Sequence, residues 1–214
     1  MKQINVAILV FPDVELLDFT GPHEALSACR LEEATRREQP SPFRIRLVAA
    51  SLAPVACANG PRFLPDATLT ECEGTAPDVL LVPGGWGVRA ALDDAALVAW
   101  IRDVGARAGT LAGVCTGSML LGKAGLLDGR RATTHWRSLD WMRASFPAVT
   151  VVDDQHVVED GNVLTSAGIS AGIDLGLRLA ARFCGEAVAR ATAAHLEYFS
   201  PDDNKRRVSL SPHE

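Results

Sequence analysis

Long hydrophobic runs are missing from this chain: none approaches the roughly 20 apolar residues that a membrane-crossing helix requires, so no membrane association is expected. A basic excess is missing too. With 21 Lys and Arg against 26 Asp and Glu, the 214 residues carry a net charge of -5, which argues against a general nucleic-acid surface. Arg36-Arg37, Arg130-Arg131 and Lys205-Arg206-Arg207 are short clusters that read as solvated ends of elements. Cysteine is sparse and unpaired in pattern. Five cysteines, an odd number spread from Cys29 to Cys184 without a Cys-x-x-Cys pair, exclude a disulfide framework and a thiolate metal site. A reduced, cytoplasmic setting follows as the expectation, with no metal and no cofactor. No small-residue cleavage site follows the apolar stretch Met1 to Val10, so that stretch reads as the first core strand rather than a targeting segment. Internal repeats and low-complexity linkers are absent as well.

What is present is enough apolar material for one sizeable core, 48% hydrophobic against 22% charged. We expect a single domain over residues 1–200 and a polar, loosely held tail over 201–214. Near-continuous apolar runs alternate with longer helical patterns, the signature of a mostly parallel α/β sheet covered on both faces. The runs Asn5 to Val10, Arg44 to Ala49, Val79 to Val82, Thr110 to Val114 and Val163 to Thr165 predict the central strands. Gly21 to Arg37, Ala95 to Ala106, Thr116 to Ala124, Arg137 to Ser145 and Ala171 to Cys184 predict helices. Pro54 to Pro65 reads as an irregular excursion or a small hairpin. Val149 to Val152 and Gln155 to Val158 read as a β extension.

The most informative stretch is Ala112-Gly-Val-Cys-Thr-Gly-Ser118, which sets one cysteine between a buried strand and a helix. A thiol at such a turn lies near the free N–H groups and positive dipole end of the helix, which favours the thiolate and lowers the pKa. Small neighbours at Gly113 and Gly117 fit the tight turn of a Gly-x-nucleophile-x-Gly elbow. Against this stands the plain alternative of a buried, inert cysteine.

In an open α/β sheet, ligands collect at the loops leaving the carboxyl ends of the strands. After the first strand come Asp13, Glu15 and Asp18 among apolar residues. Asp18, between Leu17 and Phe19, is expected to be desolvated and suited to proton transfer, while Asp18 or Thr20 equally suits a helix cap. After the third central strand, Pro83-Gly-Gly-Trp-Gly87 offers the Gly85 N–H, which would pair with that of Thr116 as donors for developing negative charge. Trp86 reads as a pocket wall or a packed aromatic. Gly129 to His135 reads as a short strand ending in a histidine that either orients or deprotonates Cys115 or simply ends the strand. Ser170, entering the last long helix, suits a cap better than a ligand contact.

Taken in order, Val82-Pro-Gly-Gly85, Gly113-Val-Cys-Thr-Gly117, Ala132-Thr-Thr-His-Trp136 and Thr165-Ser-Ala-Gly-Ile-Ser-Ala-Gly-Ile-Asp174 resemble the ThiJ/PfpI superfamily of the class I glutamine amidotransferase-like fold. Phe11-Pro12 with Leu17-Asp18-Phe19-Thr-Gly-Pro22, Cys115-Thr116 and His135-Trp136 is most similar to the isonitrile hydratase branch. The same features recur in the amino-terminal domains of some AraC-type regulators. The resemblance implies a flavodoxin-like three-layer sandwich, a homodimer, and catalytic roles for Asp18, Cys115 and Thr116. It implies a reaction in which Cys115 attacks the terminal carbon of an organic isonitrile, giving a thioimidate that water converts to an N-substituted formamide. Gly85, Trp86, His135, Trp136, Ile169 and Ser170 would line the substrate. Two departures narrow the family's range. Thr116 stands where PfpI-type peptidases carry histidine, and His195-Leu-Glu197 has the amidotransferase His-x-Glu spacing only in a terminal helical segment. The alternatives are a glyoxalase-like small-carbonyl enzyme using Glu15 or Asp18 with His135, and a non-enzymatic ligand or redox sensor. The helix-turn-helix units of the longer regulators are not legible before Glu214.

Overall fold

Val79–Val82 and Thr110–Val114 are buried at every position, as strands covered on both faces must be. In the computed structural model, which describes residues 3–200 and 203–208, they lie at the centre of a seven-stranded sheet. In chain order the elements are β1 (Ile4–Leu9), α1 (Leu16–Ser27), β2 (Phe43–Ala49), β3 (Val55–Ala56), β4 (Arg62–Phe63), β5 (Ala67–Thr68) and α2 (Leu69–Glu73). Then come β6 (Val79–Val82), α3 (Val88–Asp93), α4 (Ala95–Gly105), β7 (Thr110–Val114), α5 (Gly117–Lys123) and β8 (Arg131–Ala132). The chain continues through α6 (Leu139–Ser145), β9 (Thr150–Val151), β10 (Val157–Asp160), β11 (Val163–Ser166), α7 (Ala171–Cys184) and α8 (Glu186–His195).

The sheet order is β10-β11-β7-β6-β1-β2-β5, parallel throughout except for the antiparallel edge strand β10. Helices α1, α7 and α8 pack together as one layer, and α2, α3, α4 and α5 as another, so the three-layer α/β sandwich is as expected. From β1 the chain moves outward to β2 on one side, while β6, β7 and β11 build outward on the other. β1 and β6 are therefore the adjacent strands at which the doubly wound order reverses, and the loops that leave them are tied together, Glu15 N–H to Gly84 O at 2.9 Å and Gly87 N–H to Asp13 O at 3.0 Å. No helix among the described residues is long and apolar enough to cross a membrane.

Several boundaries differ from the sequence reading. The first helix runs over Leu16–Ser27 rather than Gly21 to Arg37, so Asp18 lies in its first turn and not in the preceding loop. It stops because arginines take its last carbonyls: Arg30 donates to Ser27 O at 2.8 Å and Arg36 to Ala28 O at 2.6 Å. The strand before His135 is only Arg131–Ala132, paired in parallel with Thr150–Val151 outside the main sheet. Pro54 to Pro65 does contain a hairpin, Val55–Ala56 against Arg62–Phe63. Of the tail over 201–214, residues 203–208 are described, and Asn204 and Arg206 among them are bound back to the body. Asn204 bonds both ways with the Val157 backbone, and Arg206 donates to Asp153 O and Thr133 Oγ1 at 2.6 Å each.

Helices α1 and α7 set the position of Asp18, and they meet through small residues. A Cβ at Gly176 would lie 2.8 Å from Ala25 Cβ and 2.9 Å from Pro22 Cα, neither of which can swing aside. Pro22 itself sits inside α1, where it has no N–H for the Asp18 carbonyl. Gly176→Ala should therefore separate the helices and destabilise the fold by about 1–3 kcal/mol, measured as a lower urea midpoint.

Candidate active site

Cys115 follows β7 directly and adopts φ 55, in the left-handed region that a residue with a Cβ enters only when the surroundings force it. Four hydrogen bonds do so. Its N–H is shared between Ser166 O and Ala167 O at 3.2 Å, and its carbonyl accepts from Thr134 Oγ1 at 2.9 Å and from Ser118 Oγ at 2.9 Å. The turn also needs a close backbone approach after the cysteine. A Cβ at Gly117 would lie 2.0 Å from Val82 O, so only glycine lets α5 begin there.

Asp18 reaches this turn from α1 and is completely buried, while Cys115 is 6% exposed. One carboxyl oxygen, Oδ2, accepts the Gly84 N–H at 2.9 Å; the other, Oδ1, is buried with no hydrogen-bond partner among the described residues. Burial pushes the carboxyl from 3.8 up to about 7, with the nearby Glu15 charge adding to the rise and the Gly84 N–H and Cys115 thiol opposing it. Burial also pushes the Cys115 thiol well above its ordinary value, and the Asp18 charge raises it further. The backbone N–H groups of Thr116 and Ile169 and the Thr116 hydroxyl act in the other direction without overcoming it. The sequence reading of a lowered thiol pKa is thus corrected: α5 is short, and desolvation beside a carboxyl outweighs the pull of its first N–H groups.

The remaining expected residues divide. The Gly85 N–H does not stand free beside that of Thr116, because it donates to Thr116 Oγ1 at 3.1 Å. The second N–H close to the sulfur comes instead from Ile169, a β-branched residue held at φ 53. His135 is half-buried and accepts the Arg137 N–H on Nδ1 at 3.3 Å, capping the short turn Trp136–Ser138. Desolvation, with the Arg137 and Arg206 charges, lowers its pKa. Thr20 donates to Leu16 O within α1 rather than capping it, and Ser170 occupies the N-cap position of α7 without a side-chain cap bond.

Above the thiol opens a cavity of about 530 Å³. Cys115 and Thr116 line it, with Gly85, Trp86, His135 and Ile169 from the expected set. Trp136 and Ser170 are not among the lining residues; Trp136 lies under the Arg137 guanidinium, 4.7 Å from its ring centroid, and Ser170 is exposed. In their place the structure brings Val88 and Arg89 from α3 and Trp141 from α6, together with Arg137 and Ser138. None of these five was legible in the sequence, because α3 was not foreseen and an isolated Arg or Trp outside a motif carries no signal of its own. Glu15, considered only for carbonyl chemistry, is also at the wall. Among the described residues no group of three or more His, Cys, Asp and Glu side chains is placed to hold a metal ion.

Comparison with known proteins agrees with this architecture. An isonitrile hydratase of Pseudomonas putida is 38% identical over 195 residues, 91% of this chain and 78% of that protein. The HTH-type transcriptional regulator CdhR of Pseudomonas aeruginosa is 34% identical over 181 residues, covering 85% of this chain and 51% of the regulator. Among solved structures, a ThiJ/PfpI family protein from Pseudomonas syringae superposes with a TM-score of 0.82 at 36% identity, over 95% of this chain and 79% of that one. Residues 4–182 match the DJ-1/PfpI family as a whole, and the chain belongs to that family.

Proposed function

We propose that this chain is a hydro-lyase that adds water to an organic isonitrile, with Cys115 as nucleophile and Asp18 as the group that moves protons. The observation that carries the reading is the buried thiol–carboxyl pair beneath the cavity that Cys115 lines, with burial pushing the Asp18 carboxyl up to about 7. The identity to the Pseudomonas putida isonitrile hydratase supports the choice of substrate.

The chemistry of an isonitrile suits such a pair. Its terminal carbon accepts both a nucleophile and a proton, so a thiol adds entirely at one atom. Burial holds the proton on the thiol, while the Asp18 carboxyl, pushed up to about 7, is placed to exchange a proton near neutral pH. As the sulfur attacks, Asp18 takes the thiol proton and passes it to the same carbon, giving a thioimidate, R–N=CH–S–Cys115. Water then adds to that carbon, Asp18 taking one of its protons and delivering it to the imine nitrogen, and collapse of R–NH–CH(OH)–S–Cys115 returns the hydroxyl proton, through Asp18, to the departing sulfur and releases R–NH–CHO. The sum is one isonitrile plus one water to one formamide, with thiol and carboxyl restored. The Thr116 hydroxyl, which already accepts from Gly85, has its O–H left to donate as a hydrogen bond to the nitrogen side of the adduct. A redox-sensing role fits less well, because a sensor cysteine rests as a thiolate, and burial with the Asp18 charge disfavours the thiolate of Cys115. A homodimer and a cytoplasmic setting are part of this reading.

Turnover of cyclohexyl isonitrile, followed as formamide by mass spectrometry, should be abolished by Cys115→Ala and slowed roughly 10²–10⁴-fold by Asp18→Asn. Absence of product from folded wild-type protein, or product from methylglyoxal instead, would overturn the reading. Since Asp18 must be ionised to accept the thiol proton, kcat/KM should fall as the pH drops below about 7 and level off above it.

The same carboxyl leaves a mark on stability. Its folded pKa is raised from 3.8 to about 7, so ionisation in place works against the fold, and stability is lost as pH rises through that interval. Between pH of about 4 and about 8, wild type should lose about 4 kcal/mol relative to Asp18→Asn, read from denaturant titrations at each pH.

A further inference from the structure

The cavity walls carry an unbalanced charge that the hydration chemistry does not use. Arg89 and Arg137 both line the cavity and both are exposed. Each guanidinium lies over an indole face, Arg89 over Trp141 and Arg137 over Trp136, at 4.7 Å from the ring centroid. Cation–π stacking holds a guanidinium plane while leaving its edge N–H groups available. Neither arginine has a carboxylate partner among the described residues, although the chain as a whole is acidic, with a net charge of -5. The nearby acids are otherwise engaged: Asp140 and Asp153 pair with Arg143 at 2.9 and 2.6 Å. Glu15 is the one acid lining the cavity, and it meets Asn59 Nδ2 at 3.5 Å.

A second observation gives the same sign of field. The His135 ring, also at the wall, is disfavoured as a cation partly by the charges of Arg137 and Arg206. Arg206 lies behind the wall, donating to Thr133 Oγ1 at 2.6 Å and to Thr134 O at 3.2 Å. Trp86, 84% exposed, and Trp141 give the cavity apolar surface. Such a cavity suits a ligand with an apolar body, one end at the thiol and an anionic group at the other.

We propose that Arg89 and Arg137 form a carboxylate-binding subsite, so that the substrate class of this chain is an isonitrile carrying a carboxylate remote from the reacting carbon. The proposal rests on the isonitrile reading for its reaction and on the two arginines for its specificity. A planar carboxylate matches the guanidinium edge in two-point hydrogen bonding, and charge-assisted bonds of this kind discriminate against neutral isosteres.

The test compares ω-isocyanohexanoate with its methyl ester in wild type and in the double variant Arg89→Gln, Arg137→Gln. The reported quantity is the acid-to-ester ratio of kcat/KM within each protein, from which any loss of folded or active enzyme cancels. Wild type should prefer the acid roughly 10–100-fold, with the preference carried by KM, and the ratio should fall to near one in the variant. A wild-type ratio near one, or a preference that survives in the variant, overturns the proposal. The parent reading is separated by a second measurement. Hexanoate and hexanamide are compared as protectants of Cys115 against alkylation by iodoacetamide, followed on the Cys115 peptide by mass spectrometry. If neither isonitrile is turned over but hexanoate protects more strongly and loses that advantage in the variant, the reaction is wrong and the subsite stands. Equal protection by acid and amide rejects the subsite.

Discussion

Two acids buried side by side cannot both ionise, and that constraint organises the rest of this molecule. With Asp18 wholly enclosed and Cys115 nearly so, burial disfavours both charged forms, the Asp18 charge raises the thiol further, and the protonated thiol in turn supports the carboxylate. The site therefore holds about one negative charge at most, and the donors around it are deployed for one: Gly84 N–H on the carboxyl, the N–H groups of Thr116 and Ile169 by the sulfur. A pair so arranged titrates as a unit. It is suited to passing a proton between two partners rather than to storing a free thiolate.

Holding that pair in place costs backbone energy, which the surrounding elements offset. Cys115 and Ile169 both sit at positive φ, at a cost on the order of 1–3 kcal/mol each. The bonds from Cys115 N–H to the β11 end, and from Thr134 to the Cys115 carbonyl, keep the elbow in that conformation. The close crossing of α1 and α7 then brings Asp18 to it. The loops after β1 and β6, bonded to each other through Glu15 N–H and Gly84 O, form one side of the site, and the cavity reaches Cys115 beside them. Fold and chemistry are joined at the same few contacts.

The large features of this arrangement were legible from residue patterns. Continuous apolar runs marked β1, β6, β7 and β11, and Gly113-Val-Cys-Thr-Gly117 marked the turn, because local sterics leave few other residues able to occupy it. Partial desolvation of Asp18 was legible from its apolar neighbours, but neither its complete burial nor its place in α1 was. The helix began earlier than expected since Leu16 and Phe19 pack inward, and ended earlier since Arg30 and Arg36 cap it from later in the chain. Trp136 and Trp141 show the limit of motif reading. The tryptophan inside the recognisable motif stacks under Arg137, and the one outside it lines the cavity.

By itself the sequence determined the α/β class, the places of the central strands along the chain and the strand-to-helix turn that bears Cys115, since these follow from hydrophobic periodicity and short-range backbone geometry. Only the tertiary structure decided the protonation of the thiol, the occupation of the Gly85 N–H by Thr116 and the gathering of Arg89, Arg137 and Trp141 at one cavity. The reason is physical: pKa values and pocket walls depend on desolvation and on through-space neighbours from distant segments, and neither quantity is encoded in any local window of residues.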